Sequence, residues 1–333
     1  FLNIEIKNKF CLDPFKIKTD KEFENIAIAM FKTQFKNNIV YNKYCSLLGV
    51  QPDKIDKLIK IPFLPIQFFK THKVISSKKK ISHIFKSSGT TGDRSINYVS
   101  NIDVYIKSFS RSFENFYGPI KDYTFLALVP SYLEQKNSSL VFMLDNFIQR
   151  SVYEESEFYL YNHKKLYKVL HKLKDSNRKI ILFGVSYALL NFIEKNPIKM
   201  KNLIVIETGG MKGMREEITR DQLHNKLKKG FGTEEIHSEY GMTELFSQAY
   251  AKNNKKFYNP NWMKTLTREI TNPLNIQTNG KGAINIIDLA NENSCAFIAT
   301  DDIGIVYKDN SYEITGRLNE AEIRGCNQLF NDN

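Results

Sequence analysis

Lys179–Gly210 reads KIILFGVSYALLNFIEKNPIKMKNLIVIETGG. Lys179–Phe183 is a short run dominated by branched and aromatic apolar residues, which predicts a buried strand. Ser186–Glu194 predicts a helix, and Leu203–Ile206 a second strand. Two buried strands joined through a helix make a parallel βαβ unit covered on both faces. Upstream, Tyr123–Val129 is another short apolar run, closed by Pro130, and predicts a strand. Leu166, Val169, Leu170 and Leu173 form one apolar stripe, with Lys164, Lys165, Lys168 and Lys172 elsewhere on the cylinder, as in an amphipathic helix. Downstream, Met214–Leu227 predicts a helix. This alternation argues for an α/β fold with a largely parallel sheet.

The flanks differ from this middle. Thr19 and Glu22 have capping-box spacing ahead of Phe23, Ile26, Ala27, Met30 and Phe31, so the N-terminal part is expected to be helical. A proline-punctuated stretch, Pro52–Pro65, leads to the strand-like Ile84–Lys86, and Asn97–Val99 resumes strand character. Beyond about Pro260, Ala283–Ile287, Ala296–Thr300, Ile303–Tyr307 and Tyr312–Thr315 predict short strands parted by turns, a β-rich end.

Composition narrows the function classes. The chain has 333 residues, 42% hydrophobic and 25% charged, which is ordinary for a globular protein with a sizeable core. The longest near-apolar stretch, Ile180–Ile193, is interrupted by Gly184, Ser186, Tyr187 and Asn191 and is shorter than the ~20 residues a spanning helix needs, so no membrane span is expected. Cys11, Cys45, Cys295 and Cys326 include no CxxC pair, which fits neither a disulfide framework nor a zinc site. A cytoplasmic location is expected. The net charge of +12 reads as lysine-rich solvated faces; no zinc-finger spacing, RNP string or basic zipper accompanies it, and no nucleic-acid partner is expected.

Several short motifs carry chemistry. Ser87-Ser88-Gly89-Thr90-Thr91-Gly92 combines hydroxyls with glycine-freed backbone N–H groups, the makings of a phosphate cradle; its plain alternative is a Gly-Thr turn between strands. Glu207-Thr208-Gly209-Gly210 ends a strand, where open α/β sheets place ligands. Glu239-Tyr240-Gly241-Met242-Thr243-Glu244 offers a stacking ring, a close-approach glycine, a hydroxyl and a carboxylate suited to Mg²⁺; its alternative is a strand end with a core tyrosine and a surface glutamate. Thr300-Asp301-Asp302-Ile303-Gly304, followed by Thr315-Gly316-Arg317, could supply a carboxylate for ribose hydroxyls and a guanidinium for phosphate, although Asp-Asp-x-Gly is also turn chemistry. His237 is expected to be a packed histidine.

In this order, over Ser87–Arg317, the motifs resemble the core motifs of the adenylate-forming superfamily. Within it, the wording of ETGGMKG and YGMTEL is most similar to the LuxE-type acyl-protein synthetases. The resemblance implies the fold of the superfamily's N-terminal adenylating domain, with mostly parallel sheets and a β-rich end spanning residues 1–315, and a hinge-like tail over 316–333. It implies ATP and Mg²⁺ as cofactors: Ser87, Ser88, Gly89, Thr90, Thr91 and Gly92 around the β- and γ-phosphates; Gly209, Gly210 and Tyr240 around adenine, with Gly241 also binding the nucleotide; Thr243 on phosphate; Glu244 on Mg²⁺; Asp302 on the ribose; Arg317 near the ribose and α-phosphate. The implied activity is that of an acid–thiol ligase: a carboxylic acid, with a long-chain fatty acid favoured, becomes an acyl-adenylate and passes to a thiol. Cys326 is the expected acyl-accepting residue, with onward transfer to a protein partner such as an acyl reductase or carrier. An acyl- or aryl-CoA ligase and a non-catalytic nucleotide-binding subunit are the alternatives.

Two departures from the superfamily pattern stand out. Asp93-Arg94-Ser95 follows the cradle in place of the usual proline and lysine, so Arg94 is a candidate substitute. The C-terminal domain that carries a catalytic lysine is expected to be absent, with Lys212, Lys281 and Arg324 as candidates for the missing cation.

Overall fold

The structure is a computed structural model that describes residues 13–88, 94–130, 135–211, 214–252 and 255–318. Helix α1 (Asp20–Asn37) starts at Thr19 with the expected reciprocal capping box to Glu22. Its apolar face buries Phe23, Ile26, Ala27 and Phe31. After α2 (Ile39–Leu47), the chain forms a strap containing strand β1 (Leu64–Pro65) and the single turn α3 (Phe68–Thr71). A hairpin of β2 (His83–Lys86) and β3 (Ile96–Val99) brackets the hydroxyl-rich loop.

The α/β middle then runs α4 (Ile102–Tyr117), β4 (Tyr123–Leu128), α5 (Ser139–Arg150), β5 (Glu157–Phe158), α6 (His163–Leu173), β6 (Lys179–Val185), α7 (Ser186–Lys195), β7 (Leu203–Thr208), α8 (Arg220–Phe231), β8 (Ile236–Tyr240) and β9 (Ala249–Ala251). Its sheet has the order β5-β4-β6-β7-β8-β9, parallel except for β9. Strand β4 is buried along its whole length, as expected of a parallel strand with both faces covered. Helix α8 begins later than the sequence pattern predicts, because Thr219 and Gln222 form a capping box there, and it stops at Gly232 in the left-handed conformation.

The β-rich end comprises β10 (Met263–Arg268), β11 (Ile276–Gln277), β12 (Gly280–Asp288), β13 (Phe297–Val306) and β14 (Tyr312–Arg317). These pair antiparallel, and β1 joins β13 in parallel, so the N-terminal strap closes one edge of the second sheet. Here the structure corrects the sequence reading: Ala296–Thr300 and Ile303–Tyr307 are not separate strands, and Thr300–Gly304 is no turn. All lie on or beside the continuous β13, bent by a bulge between Ile303 and Gly304. Glycine is required at 304 because a Cβ there would run into the Glu313 carbonyl oxygen across the ladder.

Candidate functional site

The site is built where the two sheets meet. Strands β7 and β8 pair with Thr208 opposite Glu239, so Gly209 and Tyr240 leave neighbouring parallel strands side by side at their carboxyl ends. Gly209 turns the chain at φ +64°, a conformation glycine adopts without strain. The Ser186 hydroxyl, at the start of α7, donates to the Gly209 carbonyl at 2.7 Å and to Glu207 at 3.1 Å. Gly209 and Gly210 remain exposed, leaving their backbone open to solvent.

On the neighbouring strand, the Tyr240 hydroxyl donates to Asp302 Oδ2 at 2.7 Å, and Arg317 Nε lies 3.2 Å from Asp302 Oδ1. Residues from β8, β13 and β14 therefore converge on one carboxylate. Asp302 pairs with Arg317 in the β13–β14 ladder, which puts their side chains next to one another. Burial pushes the Asp302 carboxyl up, opposed by the Arg317 charge and the Tyr240 hydrogen bond. Burial also holds the Tyr240 hydroxyl well above its ordinary value, so it stays a donor. The Tyr240 ring packs against Phe257 and Tyr312, each with its centroid 5.7 Å away.

The hydroxyl-rich hairpin joins the same place from a third direction. Ser87 and Ser95 clip its base: Ser87 N donates to the Ser95 carbonyl, and Ser95 N donates to Ser87 Oγ, both at 3.0 Å. Asn97 on β3 then donates to the Thr243 carbonyl at 3.0 Å, and Ser95 hydrogen-bonds the Glu244 carboxylate. Glu244 is buried; burial pushes its carboxyl up, offset by the Ser95 bond and the charges of Lys70 and Arg317. Asp288 on β12 holds the following residues, accepting from Phe246 N at 2.7 Å, Ser247 N at 2.9 Å and Ser247 Oγ at 2.6 Å.

Beneath the crevice lie two buried acids on opposite faces of the sheet. Burial pushes Glu207 up, but hydrogen bonds from His224 and Ser238 and the Arg220 charge outweigh it, so its carboxyl is held below the usual range. Burial raises Glu239 to about 7, opposed by its bond from the Thr208 hydroxyl and reinforced by the Glu207 charge. Glu239 sits under Gly241, where a Cβ would strike its Oε1. The glutamates of the EYGMTE stretch are thus interior groups rather than surface ones. His237 is 2% exposed, held between Tyr117 and Glu235, and is a packed residue.

The structure brings together Ser87, Gly209, Gly210, Tyr240, Thr243, Glu244, Asp302 and Arg317, with Ser88 next to Ser87 and Gly241 next to Tyr240. Lys281 pairs with Ile305 on the far side of the bulge from Asp302, and Arg94 is exposed at the hairpin base. Gly89, Thr90, Thr91, Gly92, Lys212, Arg324 and Cys326 lie outside the described residues. Among the described residues no group of three or more His, Cys, Asp or Glu could hold a metal ion. A single carboxylate such as Glu244 still suits Mg²⁺, which takes one or two carboxylates and completes its shell with substrate phosphates and water. No helix among the described residues is long and apolar enough to cross a membrane. Sequence reasoning missed Ser95, Asn97 and Asp288; the first two lie just beyond the cradle motif, and Asp288 carries no local signal at all.

Comparison with known proteins places this chain in a family. The model of the acyl-protein synthetase family LuxE matches residues 8–333. A long-chain-fatty-acid–luciferin-component ligase of Aliivibrio fischeri is 24% identical, with 89% of this chain and 84% of that protein covered. Among solved structures, ATP-bound MatB from Rhodopseudomonas palustris matches with TM-score 0.54 and 15% identity over 72% of this chain and 49% of that one. A 2-hydroxyisobutyryl-CoA ligase in the postadenylation state, in complex with 2-HIB-AMP, matches with TM-score 0.63 and 11% identity over 90% and 68%. At such identities these structures share the fold alone, and the chain spans about half the length of the MatB chain.

Proposed function

The chain belongs to the LuxE family of acyl-protein synthetases, and on that premise we propose that it activates a carboxylic acid with Mg²⁺-ATP and passes the acyl group to a protein thiol. The observation that carries this reading is the meeting of Tyr240, Asp302 and Arg317 beside the exposed Gly209–Gly210 turn, with the clipped base of the hydroxyl-rich hairpin on Thr243 and Glu244. In this reading the glycine turn and Tyr240 frame adenine, Asp302 accepts the ribose hydroxyls, and residues 87–92 with Thr243 surround the phosphates. Glu244 would hold Mg²⁺, which neutralises phosphate charge during transfer. Arg317, with its side chain 61% exposed, can turn from Asp302 to the α-phosphate.

The chemistry follows from charge. A carboxylate oxygen attacks the α-phosphorus, the bond to the β-phosphate bridging oxygen breaks, and pyrophosphate leaves with the electron pair. The chain's task is to hold the anions in line and offset the charge that develops, so positioning and electrostatics supply most of the acceleration. A thiolate then attacks the acyl carbon and AMP departs. A long-chain fatty acid is the favoured acid, in keeping with the name of the Aliivibrio fischeri relative.

Cys326 is the proposed acceptor. Cys45 and Cys295 do not suit the role, because both are fully buried. Burial pushes the Cys45 thiol up to about 12 and Cys295 higher than its ordinary value, while transfer needs an accessible thiolate.

The test is carboxylate-dependent exchange between pyrophosphate and ATP over a panel of acids, followed by intact-protein mass. We expect exchange with long-chain acids and an acyl adduct that is lost in Cys326→Ser. ATP binding without exchange for any acid would replace this reading with a non-catalytic nucleotide-binding subunit, and a thioester formed on added CoA would replace it with a CoA ligase.

A further inference from the structure

The strap before the hairpin crosses the site from one sheet to the other. Leu64 and Pro65 pair with Ile298 and Ala299 on β13, and Ile66 N donates to the Ala299 carbonyl at 2.9 Å. One step on, Gln67 Nε2 donates to Asp301 Oδ1 at 2.6 Å, beside Asp302. At the other end, Lys73 lies over the Tyr98 ring of β3 at 5.3 Å, on the strand that leads out of the hydroxyl-rich loop. Phe69 and Val74 are buried and pin the strap between these anchors.

Lys70 sits between the two anchors, exposed, one residue from buried Phe69 and three from Gln67. Its ammonium has no hydrogen-bond or ion-pair partner among the described residues. Of the other cations here, Arg317 is paired with Asp302 and Lys73 lies over the Tyr98 face. Lys70 nevertheless acts on the buried Glu244 carboxylate by charge. Gln67 and Lys70 are three residues apart on the turn α3, so the unpaired ammonium lies on the side of the strap anchored to Asp301; a cation there suits a polyanionic ligand, because a triphosphate brought against Asp301, Asp302 and Glu244 alone would be repelled.

We propose that Lys70 contacts the phosphate chain of the bound nucleotide, offsetting the β- and γ-phosphate charge and then that of the departing pyrophosphate. This rests on the adenylating reading above. The ammonium keeps its proton throughout: the α-phosphorus gains the carboxylate oxygen, the bond to the β-phosphate bridging oxygen breaks, and Lys70 stabilises the charge on the leaving group. The sequence offers no sign of this, since Lys70 lies before the cradle motif rather than after it.

The experiment compares wild type with Lys70→Met, Lys70→Arg and, as a charge-loss control on the outer face of α1, Lys36→Met. Calorimetric Mg²⁺-ATP binding and pyrophosphate exchange are read separately, with thermal melting alongside. A lost charge-assisted contact corresponds to about 10- to 100-fold. We expect Lys70→Met to weaken ATP binding and lower exchange kcat/KM for ATP by that factor, Lys70→Arg to recover most of it, and Lys36→Met and all melting temperatures to stay at the wild-type value. ATP affinity unchanged in Lys70→Met overturns the proposal, as does a loss that tracks a fall in melting temperature. If wild type binds ATP but performs no exchange, the adenylating reading fails, while a binding defect in Lys70→Met still upholds the phosphate contact.

Discussion

The Glu239 carboxyl is enclosed beneath the crevice, with the Thr208 hydroxyl as its hydrogen-bond donor. Its value of about 7 lies above the ordinary 4.5 because burial penalises the charged form and Glu207 adds like charge. A group raised in the folded state stabilises fully below its unfolded value, and that contribution is lost as pH climbs through the folded one. Glu239 should therefore withdraw stability between about pH 4.5 and 7. Glu239→Gln keeps the shape without the charge. Melting scans at pH 5, 6, 7 and 8 should show the variant gaining on wild type as pH rises; a constant difference across that range would mean that Glu239 titrates normally. Glu239 stands within a motif visible in the sequence, but its interior position was not, since nothing in EYGMTE tells which side of a strand is covered.

At the scale of elements, the segment after β8 is held by Asp288 rather than by any helix or ladder. Its carboxylate accepts from the backbone N–H groups of Phe246, Ser247 and Ala290 and from the Ser247 hydroxyl, and Trp262 Nε1 extends the network to Ser247 Oγ at 2.9 Å. Removing a buried acceptor strands its donors, so Asp288→Ala should cost about 3 kcal/mol in denaturant unfolding and weaken Mg²⁺-ATP binding through Thr243–Glu244. A variant with native stability would show that the network is dispensable. Elements with strong local signals were legible: the capping box of α1, the apolar β4, β6 and β7, and the helix between the last two. Helix α8 starts later than its apolar spacing suggests, because that spacing continues ahead of Thr219, whereas the cap decides the start. The bulged β13 was divided because Asp301-Asp302-Ile303-Gly304 carries turn residues, and only pairing with β12 and β14 extends the strand through them.

For the whole molecule, two sheets and a hairpin, whose site residues are separated along the chain by up to 230 residues between Ser87 and Arg317, are proposed to enclose one nucleotide. The order of the motifs made the meeting of Tyr240, Asp302 and Arg317 legible in outline. The strap was not legible, because Gln67, Lys70 and Lys73 are single polar residues: the partners of Gln67 and Lys73, Asp301 and Tyr98, lie on other elements, and so does Glu244, on which the Lys70 charge acts. Nor was the buried Arg268, which donates to the Thr300 carbonyl at 2.6 Å and to the Ile284 carbonyl at 2.8 Å, holding β13 and β12 where Asp302 begins. The decisive measurement is a crystal structure with Mg²⁺ and a non-hydrolysable ATP analogue. Adenine is expected between Gly209–Gly210 and Tyr240, ribose hydroxyls on Asp302 and the phosphates toward Thr243 and the hairpin. Nucleotide bound instead in the lysine-lined surface cleft of about 390 Å³ around Lys228 and Lys255, with the Tyr240–Asp302 crevice empty, would contradict it.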